Sequence, residues 1–200
     1  VVGQFGLSIP DFLENFDGTI EEGDVLLTSD PYACGAAISH ANDWLVVMPI
    51  FHEGRVVGWA SMFGHMSDVG GKTPCSMPTD ARTIYEEGVV IPPFKLYSAG
   101  QRNDDALRII LNQVRVPDWN RADLNGLVAA CRTASRRVQE MCARFGVATY
   151  LSALDELPGL VAQPAAVEPE RPGEPACRDG RHGGHRLDGG VVGQALLARG

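Results

Sequence analysis

The stretch WLVVMPIFHEGRVVGWASMF, residues 44–63, constrains the fold more than any other part of the chain. Trp44 to Phe51 is apolar at odd and even positions alike. A strand of that kind has to be covered on both of its faces, because alternate side chains point to opposite sides of the ribbon. HEGR interrupts the run and VVGWASMF resumes it, which is the pattern of a β-hairpin with Glu53-Gly54 at its tip. A hairpin buried on both sides needs apolar partners elsewhere, and with 44% hydrophobic residues the chain supplies them.

Those partners follow in order. GDVLLTSDPYACG reads as a short strand, Asp24 to Thr28, ended by a turn at Asp30-Pro31. GHMSDVGGKTPCSMPTD is a Gly- and Pro-rich loop, after which Thr79 or Asp80 is expected to cap a short helix stopping at Gly88. VVIPPF is extended, since each proline restricts itself and its predecessor. Asn103 is placed to cap a helix running to about Val116, with Pro117 as its end. Asn120 opens the longest helix, whose stripe of Leu124, Leu127, Val128, Cys131, Val138, Met141 and Phe145 recurs at helical spacing up to a stop at Gly146. The fold class is therefore α+β: an antiparallel, hairpin-containing sheet followed by packed helices. Past Leu157 the composition turns to Pro, Gly and Arg without periodicity, so the expected organisation is one domain over 1–157 and a disordered tail over 158–200.

Charge and composition exclude whole classes of function. A net charge of −8 does not suit a nucleic-acid surface, and no apolar run approaches the ~20 residues of a membrane span. Five cysteines, odd in number and widely spaced, make neither a disulfide framework nor a zinc knuckle, which is the usage of a reducing, cytoplasmic setting. The opening VVGQFG, without methionine, reads as an entry into the middle of a longer sequence.

The same hairpin gathers polar residues at one end. Counting back from a symmetric tip pairs Phe51 with Val56 and Asp43 with Gly64, so His65 falls opposite Asn42, close to Asp43 and within reach of His40. Strict alternation nevertheless sets His65 and Asp43 on opposite faces, so convergence requires irregular backbone, for which Gly64 is one place. Two imidazoles and one carboxylate form a facial set suited to Mn²⁺, Fe²⁺ or Zn²⁺, with positions left open for water or substrate. The plainer reading is a His40–Asp43 pair tying a loop to a strand, with His65 bonded separately. Asp68 has two readings as well: it orients an imidazole from behind, or it caps the turn at Gly70-Gly71. MSDVGGKT falls short of a phosphate-binding loop, because Met66 stands where glycine is needed and Pro74 and Pro78 interrupt the helix that should follow. Cys75 is read as an incidental thiol, and Glu86-Glu87 as a solvated acidic face. His182 and His185 are assigned no role.

Four segments together resemble the hydantoinase B/oxoprolinase family: GDVLLTSDPYACG, HANDWLVVMPIFHEGRVVGW, GHMSDVGGKTPCSMPTDARTIYEEGVVIPPFKLY and RADLNGLVAACRTASRRVQEMCARFG. The resemblance implies that His40, Asp43 and His65 are ligands of a divalent metal, manganese in the carboxylase branch, with zinc or iron as alternatives. It also implies an ATP-dependent A-type partner subunit that activates a cyclic amide, such as a hydantoin or 5-oxoproline, for opening of its C–N bond; beside it, Asp68, three residues after His65, is the candidate catalytic residue. In the carboxylase branch the same metal would stabilise an enolate that attacks activated CO₂, and a remnant that only docks on the A-type partner is a third reading. This chain departs from the family pattern at Ser29, at Cys75 where glycine is common, and at Met66 where relatives carry a second histidine. The family's members are several times longer, which implies a fragment.

Overall fold

The computed structural model describes residues 4–35 and 37–161. Its elements are α1 (Gln4–Glu14), β1 (Val25–Thr28), β2 (Asp43–His52), β3 (Arg55–His65), β4 (Phe94–Ser98), β5 (Gln101–Arg102), α2 (Asp104–Leu111), α3 (Pro117–Phe145) and α4 (Val147–Val161). The strands form one antiparallel sheet in the order β3-β2-β1-β4-β5. This is the α+β architecture expected from the sequence.

The apolar run of β2 is apolar throughout because both faces of the sheet are covered. Trp44, Val46, Met48 and Ile50 alternate to one side and join a core with Leu107 of α2 and Leu124, Leu127 and Val128 of α3. Leu45 and Val47 point the other way, where they meet Leu26, Trp59, Cys34, Ile38, and Ile9 and Phe12 of α1. The thiols inside are inert: burial pushes Cys131 up to about 12 and raises Cys34 as well.

Several elements differ from expectation. No α-helix forms over 79–88; Ile84–Glu86 makes only a 3₁₀ turn, because Asp80 and Glu86 are drawn to Lys72 across the loop at 3.1 and 2.5 Å instead of lining a helix face. Phe94–Ser98, read only as the end of an extended segment, is a strand hydrogen-bonded to β1. Asn103 does cap α2, its side chain accepting from Ala106 N–H at 3.1 Å, but the helix stops at Leu111. Pro117 begins α3 rather than ending α2, which fits the first-turn position where its missing N–H costs nothing. On α3 the inward stripe turns from Val138 to Cys142, leaving Met141 and Phe145 exposed. The α4 helix runs through the expected boundary at Leu157 to Val161; the tail expected to be disordered otherwise lies outside the described residues. Among the described residues no helix is long and apolar enough to cross a membrane.

Candidate metal centre

The hairpin register carries a correction that decides the site. Phe51 pairs with Val56 as expected, but the register shifts between Ile50 and Phe51, so that Ile50 pairs with Gly58 and Val57 is the extra residue of a bulge. From there every pair is displaced by one, and Asp43 stands directly opposite His65 rather than Gly64. Directly paired residues share a face of the ribbon. The conflict between alternation and convergence is thus resolved near the hairpin tip and not at Gly64. Gly64 has a different use: a Cβ there would lie 3.2 Å from Leu127, so its absence lets α3 approach the ribbon beside His65.

His40 reaches the same place from the loop before β2. Its Nδ1 lies 3.5 Å from Asp43 Oδ2 and 2.9 Å from Ser39 Oγ, and its ring centroid is 4.9 Å from that of His65. One ligand atom from each of His40, Asp43 and His65 lies within 4.8 Å of the others. Asp43 is buried, His40 half-buried and His65 exposed, so the group has a protein side and a solvent side. His40 Nε2 is buried with no hydrogen-bond partner among the described residues, an orphan that a cation would satisfy. Two imidazoles and a carboxylate are a donor set for borderline divalent ions such as Mn²⁺, Fe²⁺ and Zn²⁺. The residues present fit such an ion.

Behind the cluster lies a scaffold that spacing alone did not reveal. Asn42, fully buried, donates from Nδ2 to Met66 O at 3.1 Å and Cys75 O at 3.3 Å, while Met66 N–H donates to Asn42 O at 2.8 Å. These bonds fasten the residue before Asp43 to the residue after His65. Glu87, read as part of a solvated face, accepts from Ala41 N–H at 3.0 Å and so holds the segment between His40 and Asp43. Met66 is completely buried in the core that α3 shares.

Asp68 is engaged in the turn and the loop beyond it. Its carboxylate accepts from Gly70 N–H at 2.8 Å, Cys75 N–H at 2.8 Å, the Ser76 hydroxyl at 3.1 Å and Arg115 Nη1 at 2.9 and 3.0 Å. Arg115 continues to Gly71 O and Thr73 O. Burial alone would raise the Asp68 carboxyl, but the Gly70 and Cys75 amides, with Arg115 and Ser76, outweigh it and hold the group below the ordinary carboxylate range. The capping contacts are thus present, and among the described residues none of the bonds on these oxygens goes to an imidazole. Asn42, Glu87 and Arg115 have no sequence signature as site residues, since each acts through contacts with residues distant in sequence. His182 and His185 lie outside the described residues.

Comparison with known proteins adds a family context. The family model described as Hydantoinase B/oxoprolinase matches residues 1–160. The beta subunit of a caprolactamase from Pseudomonas jessenii is 37% identical over 142 residues, which are 71% of this chain and 24% of that subunit. Among solved structures, an ATP-dependent caprolactamase from Pseudomonas jessenii superposes with a TM-score of 0.65 at 32% identity, covering 81% of this chain and 29% of that one. A nucleotide-free acetone carboxylase, described in terms of ATP-dependent acetone carboxylation, gives 0.68 at 25% identity, covering 75% and 20%. The chain thus spans about a quarter of the length of the curated relative to which it is compared here.

Proposed function

Because the chain belongs to the hydantoinase B/oxoprolinase family, we propose that it contributes the metal-binding part of a subunit that, with an ATP-dependent A-type partner, opens the C–N bond of a cyclic amide. The observation that carries the reading is the convergence of His40, Asp43 and His65, with His40 Nε2 buried and unpartnered among the described residues. The caprolactamase beta subunit, at 37% identity, supports the hydrolytic branch, and an acetophenone carboxylase delta subunit at 32% identity keeps the carboxylase branch as the alternative.

A divalent cation bound there, with manganese the first choice and zinc or iron the alternatives, supplies Lewis-acid polarisation of an amide carbonyl and acidifies water at neutral pH. The chain's own residues set the conditions for this. Asp43 brings a buried negative charge opposite His65, and the exposed His65 leaves the solvent side open to a substrate. Ser39 Oγ fixes the His40 ring through Nδ1. Asn42 ties the two strand ends together, and the three donors lie within 4.8 Å of one another. Asp68 acts in this reading by holding the loop after His65. An amide resists attack by water because its carbonyl is resonance-stabilised, and ATP used by the partner would activate that carbonyl before hydrolysis.

The test is metal content. Purified and dialysed in the presence of manganese, the chain is expected to retain close to one equivalent of a divalent ion, read by elemental analysis, and His40→Ala or Asp43→Asn to release it. Less than about a tenth of an equivalent, unaffected by His40→Ala, would overturn the reading in favour of a remnant that only docks. Assay of the metal-loaded chain with an A-type partner, ATP and hydantoin or 5-oxoproline, against a ketone with bicarbonate, separates the two branches.

A further inference from the structure

A cleft of about 470 Å³ opens beside the cluster and shares part of its support. Its walls include Tyr32, Ile38 and Ile84, which are apolar, and Ser39, Arg82 and Glu87, which are not. Ser39 Oγ is the atom that holds His40 Nδ1 at 2.9 Å, and Glu87 is the acid that accepts from Ala41 N–H at 3.0 Å. A small ring seated in this cleft would therefore lie against the residues flanking the metal ligands. The volume falls within the usual range for small-molecule sites, and a lining divided between apolar and polar groups suits a small ring bearing a polar substituent.

Arg82 gives that substituent a sign. The two carboxylates nearest to it in sequence, Asp80 and Glu86, are both held by Lys72 Nζ, at 3.1 and 2.5 Å. Among the described residues no carboxylate pairs with the Arg82 guanidinium, although Arg82 N–H donates to Glu86 Oε1 at 3.3 Å. Glu87 is the cleft's own acid, and its Oε2 is already engaged at Ala41. An unpaired guanidinium offers a planar pair of donors that matches the two oxygens of a carboxylate or phosphoryl group.

We propose that this cleft seats the ring amide and that Arg82 binds an oxyanionic group carried on it, a carboxylate or a phosphoryl, making Arg82 the residue that selects anionic over neutral lactams. The proposal rests on the cyclic-amide reading and deepens it by naming the substrate class.

The test is calorimetric titration of the full manganese-loaded chain with three probes: 5-oxoproline, 2-pyrrolidinone (the same ring without the carboxylate) and inorganic phosphate. 5-Oxoproline is expected to bind about tenfold more tightly than 2-pyrrolidinone, as one charge-assisted contact allows. Arg82→Gln should abolish that preference while leaving 2-pyrrolidinone binding unchanged, and Arg82→Lys should restore part of it. Phosphate that displaces 5-oxoproline in an Arg82-dependent manner supports a seat suited to phosphoryl oxygens, and lack of displacement supports a carboxylate seat. Equal affinity of the wild-type chain for the two lactams, or a preference that survives Arg82→Gln, overturns the proposal. Titration of the metal-free chain separates this from the metal reading: an Arg82-dependent preference there stands even if no metal is retained, and its loss with full metal content overturns Arg82 alone.

Discussion

Cys75 adopts φ 67° and ψ 4°, and Ser76 follows at φ 49°. Two successive residues with side chains in the left-handed region are held by the Asp68 carboxylate, which takes the Cys75 N–H and the Ser76 hydroxyl, and by Asn42, which donates to Cys75 O. The Cys75 side chain is exposed and free, so nothing else offsets its backbone strain. Cys75→Gly removes a Cβ from an unfavourable conformation at some cost in unfolded-chain entropy, and a net gain of about 0.5–1 kcal/mol is expected, read as a rise in thermal midpoint. Manganese affinity should not change, because the bonds at this position use backbone atoms. The sequence made this position visible only through family resemblance, as a cysteine where glycine is common; its φ could not be read from composition or spacing. The same holds for Asn42 and Glu87. Their contacts span 24 to 46 positions, and neither an asparagine inside a polar hexapeptide nor an acid before a glycine signals such a reach.

At the scale of elements, the two strands of the hairpin were legible because the continuous apolar runs and the Glu53-Gly54 tip are local signals, whereas the bulge at Val57 was not. One extra residue moves every later pair by a step, so the difference between Asp43 facing Gly64 and Asp43 facing His65 depends on a feature with no sequence mark of its own. The β4 strand was missed for a related reason: the prolines before it masked a segment that gains its ladder only by pairing with β1, more than sixty positions away. The contact between the ribbon and α3 is testable. A Cβ at Gly64 would meet Leu127 Cδ2 at 3.2 Å and Cδ1 at 3.3 Å. Gly64→Val should destabilise the chain by about 1–3 kcal/mol through overpacking. In the background of Leu127→Ala, where the opposing methyls are gone, the same substitution should cost much less. Urea denaturation of the four variants gives the coupling, and additive effects would show that α3 does not press on the ribbon at this point.

Across the whole molecule, two buried carboxylates join segments that are distant in sequence. Asp24, before β1, is fully buried; Lys95 Nζ of β4 lies 2.8 Å from its Oδ2, and it accepts the N–H groups of Ala99 and Glu21 at 2.8 Å each. Asp68 joins the loop after β3 to Arg115, between α2 and α3. Burial works against ionisation in both, yet Lys95 with the Ala99 and Glu21 amides holds Asp24 below its ordinary value of 3.8, as the contacts described above do for Asp68. A carboxyl whose folded value is depressed binds fewer protons folded than unfolded, so stability rises with pH across that interval. The contribution is complete above the ordinary value and is lost as pH falls through 3.8 toward the lower folded values. Thermal midpoints should therefore hold level from neutrality to about pH 5 and drop steeply below about pH 4. Asp24→Asn should lower the midpoint at neutral pH, because Lys95 loses its charge partner, and flatten the drop in acid, so the gap from wild type narrows as pH falls. Asp105→Asn serves as the control: that carboxylate pairs with Arg108 on the surface, with 81% of its side chain exposed, and a screened pair of this kind adds little at any pH. If Asp24→Asn shifts the whole profile down in parallel, the acid sensitivity belongs to other groups, and the Asp24–Lys95 contact between β1 and β4 does not act as a titrating staple of the sheet.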